Sequence, residues 1–154
     1  MNLTLPKDPN MTVQTSSIAE MTLEHHGAAL ALWQNTPGVG VNDRDGREAI
    51  SHYLESNPGL SLVALGGAEL VGTLLAGSDG RRGYLHHLAV APSHRGMGLA
   101  RAMVNQAQER LHQLGVDKSH IFVYADNPDG QAFWSALGWQ FREDLRVMSG
   151  TWKA

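Results

Sequence analysis

Leu88-Ala89-Val90-Ala91-Pro92-Ser93-His94-Arg95-Gly96-Met97-Gly98-Leu99-Ala100 is the stretch on which the fold turns. An apolar strand runs into a tight loop and then into a helix whose first turn carries no serine, threonine or aspartate to cover its free backbone N–H groups. Gly96 and Gly98 remove side chains that would block a close approach to the backbone. The helix N-terminus carries partial positive charge, and Arg95 adds a full one, so the segment suits a diphosphate. Two well-known phosphate loops do not fit it. A P-loop places a lysine and then serine or threonine after its last glycine, whereas Gly98 is followed by Leu99 and Ala100. A dinucleotide fingerprint needs a third glycine or alanine three residues after Gly98, where Arg101 stands, and an acidic residue ending a following strand, which is missing.

Outward from this stretch the chain reads as one alternating α/β unit. Upstream, Ser61 to Leu65 and Glu69 to Ala76 are apolar runs joined at Gly66-Gly67, a hairpin signal, and Gly83 to Val90 adds a third strand after the Ser78-Asp79-Gly80 turn. Thr22 to Asn35 has a helical apolar pattern ended by Thr36-Pro37-Gly38. Asn42 or Asp43 can cap a second helix, which carries Ala49, Ile50, Tyr53 and Leu54 as far as Asn57-Pro58-Gly59. Downstream, Leu99, Met103, Ala107, Leu111 and Leu114 make one apolar stripe, with Gly115 at the left-handed C-terminal position. Ser119 to Ala125 reads as a buried strand, Pro128 to Leu137 as a short helix closed by Gly138, and Asp144 to Trp152 as a last strand. A short strand around Met11 to Gln14 opens the domain, after a polar arm over residues 1–10. The expectation is a single 11–154 domain.

Composition narrows the function classes. At 154 residues, a single domain of this size buries roughly 68–70% of its unfolded surface. With 42% hydrophobic and 18% charged residues the chain is far from a disordered composition. Twelve basic against 15 acidic residues, a net charge of −3, argue against a nucleic-acid binder. The absence of cysteine excludes disulfide scaffolds, thiolate metal sites and cysteine nucleophiles. No signal-like or membrane-length apolar run is found, which points to a cytoplasmic protein away from membranes. His25-His26 and His86-His87 lack metal-site spacing, and adjacent strand histidines are expected to point apart, so no metal site is expected.

The loop resembles the acetyl-CoA loop of the GNAT superfamily of N-acetyltransferases, Q/R-x-x-G-x-G/A, here Arg95-x-x-Gly98-x-Ala100. Three more features fall where that family has them: the strand ending Leu88-Ala89-Val90 before a proline, Asn127 ahead of a short helix carrying Phe133-Trp134, and Gly138-Trp139. The resemblance spans Met11 to Trp152. It implies a three-layer α/β domain with a mixed, mainly antiparallel twisted sheet, and acetyl transfer from acetyl-CoA to a primary amine of a small molecule or peptide. A homodimer is compatible with it.

By the same resemblance, the backbone of Leu88 and Val90 pairs with the pantetheine arm, and Arg95, Gly96, Met97, Gly98, Leu99 and Ala100 hold the diphosphate. Asn127 contacts the cofactor from the other side, besides being an excellent helix N-cap, and Trp134 packs against the cofactor arm.

The acceptor amine must lose a proton. Deprotonating a lysine-like amine at pH 7 costs about 3–5 kcal/mol, so a base or a water wire to one is needed. Strict alternation would put Tyr84, His86, Leu88 and Val90 on one face of the strand and Leu85, His87 and Ala89 on the other. His86 is the candidate base; the arylalkylamine N-acetyltransferases place histidines at positions resembling Tyr84 and His86. Many family members protonate the leaving thiolate with a tyrosine where this chain has Trp134. An indole is no usable acid, which leaves Tyr124, Tyr84 or water, and leaves a non-catalytic acyl-CoA-binding module as the rival reading. Asp43, Arg44 and Asp45 would border the acceptor groove in this fold, where carboxylates could attract a cationic amine; serving the helix dipole and solvent is the plainer role.

Overall fold

A computed structural model describes residues 16–154. The arm and the strand expected near Met11 to Gln14 lie outside the described residues. The chain divides into two compact units, one ending at Phe122 and one spanning Val123–Ala154.

The first unit is built on a five-stranded sheet in sequence order: β1 (Ser16–Glu20), β2 (Leu62–Gly66), β3 (Glu69–Ser78), β4 (Gly83–Val90) and β5 (Ser119–Ile121). The first three pairings are antiparallel and β4 with β5 is parallel, so the sheet is mixed and mainly antiparallel, as expected. The polar sequence Ser-Ser-Ile-Ala-Glu of β1 gives little strand signal; pairing along β2 imposes it.

Helices cover both faces of the sheet. On one, α1 (His26–Gln34) and α2 (Arg47–Ser56) bury Trp33 and Ile50 against Val63, Leu75 and Ala89. On the other, α3 (Leu99–Gln113) buries Met103, Val104, Ala107 and Leu111. Fully burying an aliphatic side chain of this size is worth about 1.5–3 kcal/mol. Leu114, expected to complete that stripe, is 65% exposed, because it lies past the last helical turn, at the C-cap; Val104, outside the expected stripe, is buried.

The first two helices start differently from the sequence expectation. A 3-10 turn at Leu23–His25 precedes α1. Asn42 caps not α2 but a separate 3-10 turn over Asp43–Asp45, its side chain accepting from the Arg44 amide, and Gly46 then leads into α2.

Two strand expectations are corrected. Strand β5 ends at Ile121 and none of its residues is fully buried; Phe122 and Tyr124 are 64% and 58% exposed. An apolar pattern alone does not bury a segment that pairs on one edge only. In the second unit, residues 144–152 form no strand, despite the alternation of Leu145 and Val147. Helix α4 (Pro128–Ala136) forms as expected, with Asn127 accepting from the Gly130 amide at its N-cap and Gly138 in the left-handed conformation after it. No described helix is long and apolar enough to cross a membrane.

Candidate active site

Strand β4 departs from the alternation expected of it. Between His86, which pairs with Leu75, and Ala89, which pairs with Thr73, β4 carries one residue more than β3, a bulge. His87 stands in it with φ +51°, the single non-glycine residue of positive φ among those described. Cross-strand partners share a face, so Tyr84, His86 and Ala89 lie on the α1/α2 side, whereas Leu85 and Val90 lie on the α3 side. His87 joins His86 on the α1/α2 side, its ring edge-on to Trp33 at 4.7 Å between centroids. The two histidines therefore do not point apart, and Val90 does not share the face of His86: one inserted residue reverses, against strict alternation, the parity of everything after it.

The bulge is held from several directions. His87 Nε2 donates to Asp45 Oδ1 at 2.7 Å, and the other Asp45 carboxylate oxygen accepts from the Asn42 amide. Thr73 Oγ1 donates to the His87 carbonyl and accepts from Trp33 Nε1, both at 2.8 Å. His26 Nε2 donates to the Asp45 carbonyl at 2.8 Å. The Asp45 side chain is only 7% exposed, so it serves neither solvent nor a passing cation. Sequence reasoning missed this pair: Asp45 and His87 are 42 residues apart, and no local pattern announces the bulge that turns His87 inward.

The His86 side chain has no hydrogen-bond partner among the described residues, and its ring lies 6.0 Å from that of Phe122. Burial, and secondarily the charge of His87, holds its pKa below the ordinary 6.5, with Asp45 pulling the other way. A neutral imidazole with a free lone pair is what a base requires. Tyr84 sits on the same face, its ring 5.8 Å from that of His120.

Pairing of β4 with β5 stops at Leu85 and Ile121, while β4 runs on through Leu88 to Val90. Along that edge the strand has no ladder partner among the described residues. Past its end, a 3-10 turn at Pro92–His94 leads into the loop, where Arg95 Nε donates to the Val90 carbonyl at 3.0 Å. His94 is buried with its ring close to Gly66, where a Cβ would come within 2.9 Å of it, so the hairpin glycine is needed for this contact. Gly96 and Gly98 have φ of +77° and +79°, Met97 between them is exposed, and Gly98 opens α3 with no side-chain cap. Ala102 is the first amide of α3 to find a helical acceptor, on the Gly98 carbonyl, and the amides of Leu99 and Ala100 have no partner among the described residues.

In the second unit, Asn127 caps α4, and Trp134 lies between Phe133 and Trp139, at 5.4 and 4.7 Å between ring centroids. The exposed Tyr124 contributes its carbonyl to Gln131 Nε2.

The sequence pattern of the Acetyltransferase (GNAT) family matches residues 27–139. The chain belongs to this family. An acetyltransferase of Pectobacterium atrosepticum is 38% identical over 100 residues, 65% of this chain and 70% of that protein. The fold resembles PaiA N-acetyltransferase of Thermoplasma acidophilum in complex with coenzyme A, with a TM-score of 0.75 and 13% identity over 84% of this chain and 92% of that one. It also resembles AAC(6')-Iy bound to the bisubstrate analogue CoA-S-monomethyl-acetylneamine, with a TM-score of 0.69 and 22% identity over 91% of this chain and 99% of that one. This GNAT protein is an acetyl-CoA-dependent acyltransferase, and the free amides at the start of α3 fit the coenzyme's diphosphate.

Proposed function

We propose that this GNAT protein transfers the acetyl group of acetyl-CoA to the nitrogen of a primary amine by direct attack in a ternary complex. The observation that carries the reading is the uncapped start of α3, with Arg95 beside it, following a strand whose edge outruns its parallel neighbour. Arg95, Gly96, Met97, Gly98, Leu99 and Ala100 would hold the diphosphate, and the backbone edge at Leu88 and Val90, which has no β5 ladder partner among the described residues, would pair with the pantetheine arm. His86 would take the amine proton, directly or through water. The amine nitrogen forms its bond to the thioester carbon, main-chain N–H groups of β4 stabilise the oxyanion, and the carbon–sulfur bond breaks. Tyr84 or Tyr124 would protonate the departing thiolate, unless it leaves as the anion. The family resemblance supports Asn127 and Trp134 as contacts to the cofactor.

The test is thiol release from acetyl-CoA over a panel of polyamines, amino acids, arylalkylamines, aminoglycosides and peptides with free N-termini, beside calorimetric titration with acetyl-CoA. Acceptor-dependent release is expected. Tight uptake with no release on any amine would favour the acyl-CoA-binding module, and no uptake at millimolar coenzyme would overturn both.

A further inference from the structure

We propose that Asp45 and His87 form a latch that seats the turn between α1 and α2 on the bulge of β4 and thereby positions the acceptor amine beside His86. The inference rests on the acetyl-transfer reading above and makes both residues positioning residues for that reaction.

A left-handed conformation is costly for a residue with a Cβ, and it persists only where the surroundings over-determine it. At His87 they do. Its carbonyl is held by Thr73 of β3, its ring rests on Trp33 of α1, and its Nε2 is held by Asp45 of the turn. Asp45 in turn ties down the Asn42 amide with its second oxygen and His26 with its carbonyl. Breaking the Asp45–His87 contact would release the turn from the strand without touching the loop that leads into α3.

The placement gives the latch its purpose. The bulge begins directly after His86, just past the last β4–β5 pair, on the face that His86 and Tyr84 share. A strand held there by packing alone needs no buried carboxylate. A carboxylate on Nε2 also fixes which nitrogen bears the proton, leaving Nδ1 as the lone-pair side in the neutral ring.

The test uses the full chain and three variants. In His87→Gly, glycine accepts the positive φ, so the bulge survives while the latch is gone. The expected result is a rise of roughly tenfold or more in KM for the best amine of the panel, with kcat changed less and the acetyl-CoA dissociation constant within about twofold of the parent. An unchanged KM overturns the proposal, as does an equal loss of coenzyme affinity, which would mark a general collapse of the site. Asp45→Asn keeps an oxygen for Nε2–H to donate to and should show little of the KM rise expected of Asp45→Ala; equal defects in the two overturn the hydrogen-bond role. Independently of turnover, side-chain NMR of histidine-labelled protein should find the proton of His87 on Nε2, and a proton on Nδ1 alone overturns the latch. If the NMR result is as expected but no amine is acetylated, the acetyl-transfer reading fails and the positioning role is overturned with it.

Discussion

Thr73 is the residue on which most rests for its size. Its hydroxyl accepts from the Trp33 indole and donates to the His87 carbonyl, joining α1 to the bulge through β3. Thr73→Val keeps the volume but orphans a buried donor and an acceptor, each costing about 1–3 kcal/mol. A loss of roughly 2–6 kcal/mol is therefore expected in urea unfolding, with Thr73→Ser milder because the hydroxyl remains. At His86 the prediction concerns pH. Its folded-state pKa lies below 6.5, so its contribution to stability is complete above pH 6.5 and is lost as pH falls through the lowered value. The acid limb of kcat/KM should likewise fall below pH 6.5, and the pH–rate profile of His86→Ala should lack that limb while acetyl-CoA still binds. Parent-like rates in the variant across pH 6–9 would remove His86 from the mechanism.

Among the elements, the start of α3 carries the clearest expectation. Arg95→Glu places an anion where partial positive charge and a guanidinium now stand. Calorimetry should show acetyl-CoA bound roughly ten- to a hundredfold more weakly, a change of about 1.4–2.8 kcal/mol. Gly98→Ala adds a Cβ at φ +79° and should cost about 1–2 kcal/mol of stability. This part of the site was legible because its signals are local: paired glycines, an uncapped helix and an arginine in one short run. Strand β4 was legible as a strand with its bounds, yet not in its parity, since a bulge arises from pairing with β3 and leaves no mark in the strand's own composition. The same limit hid Asp45, which reads as a helix-start charge until the fold brings His87 to it. Residues 144–152 failed the other way, with an alternating pattern that forms no strand.

For the whole molecule, the proposed cofactor site predicts a coupling between ligand and stability. At a hundred times its dissociation constant, a ligand bound only by the folded state adds about 2.7 kcal/mol. For a chain of this length that should raise Tm by about 5–10 °C in calorimetric scans with acetyl-CoA. The absence of any rise would contradict the cofactor site. The sheet of the first unit keeps chain order, so β2, β3 and β4 follow one another through short turns, while its two long connections run from β1 to β2 through α1 and α2 and from β4 to β5 through α3. One of them supplies Asp45 and the other supplies Arg95, and both residues bond to β4, at His87 and at Val90. The site is thus assembled where the two long excursions of the chain return to one strand.

The surplus residue in β4 is also a separable part. Removing either His87 or Leu88 would restore a regular ladder with Ala89 still opposite Thr73 and Val90 still opposite Gly72, so the layers on both sides would keep their present neighbours. What would vanish is the imidazole beside Trp33, because the one residue left between His86 and Ala89 would have to turn toward α3. A strand shortened in this way would keep its core and leave Asp45 Oδ1 without the imidazole it now holds. A single codon therefore separates this pairing of β3 with β4 from a plain one, and it carries the whole of the difference at that corner.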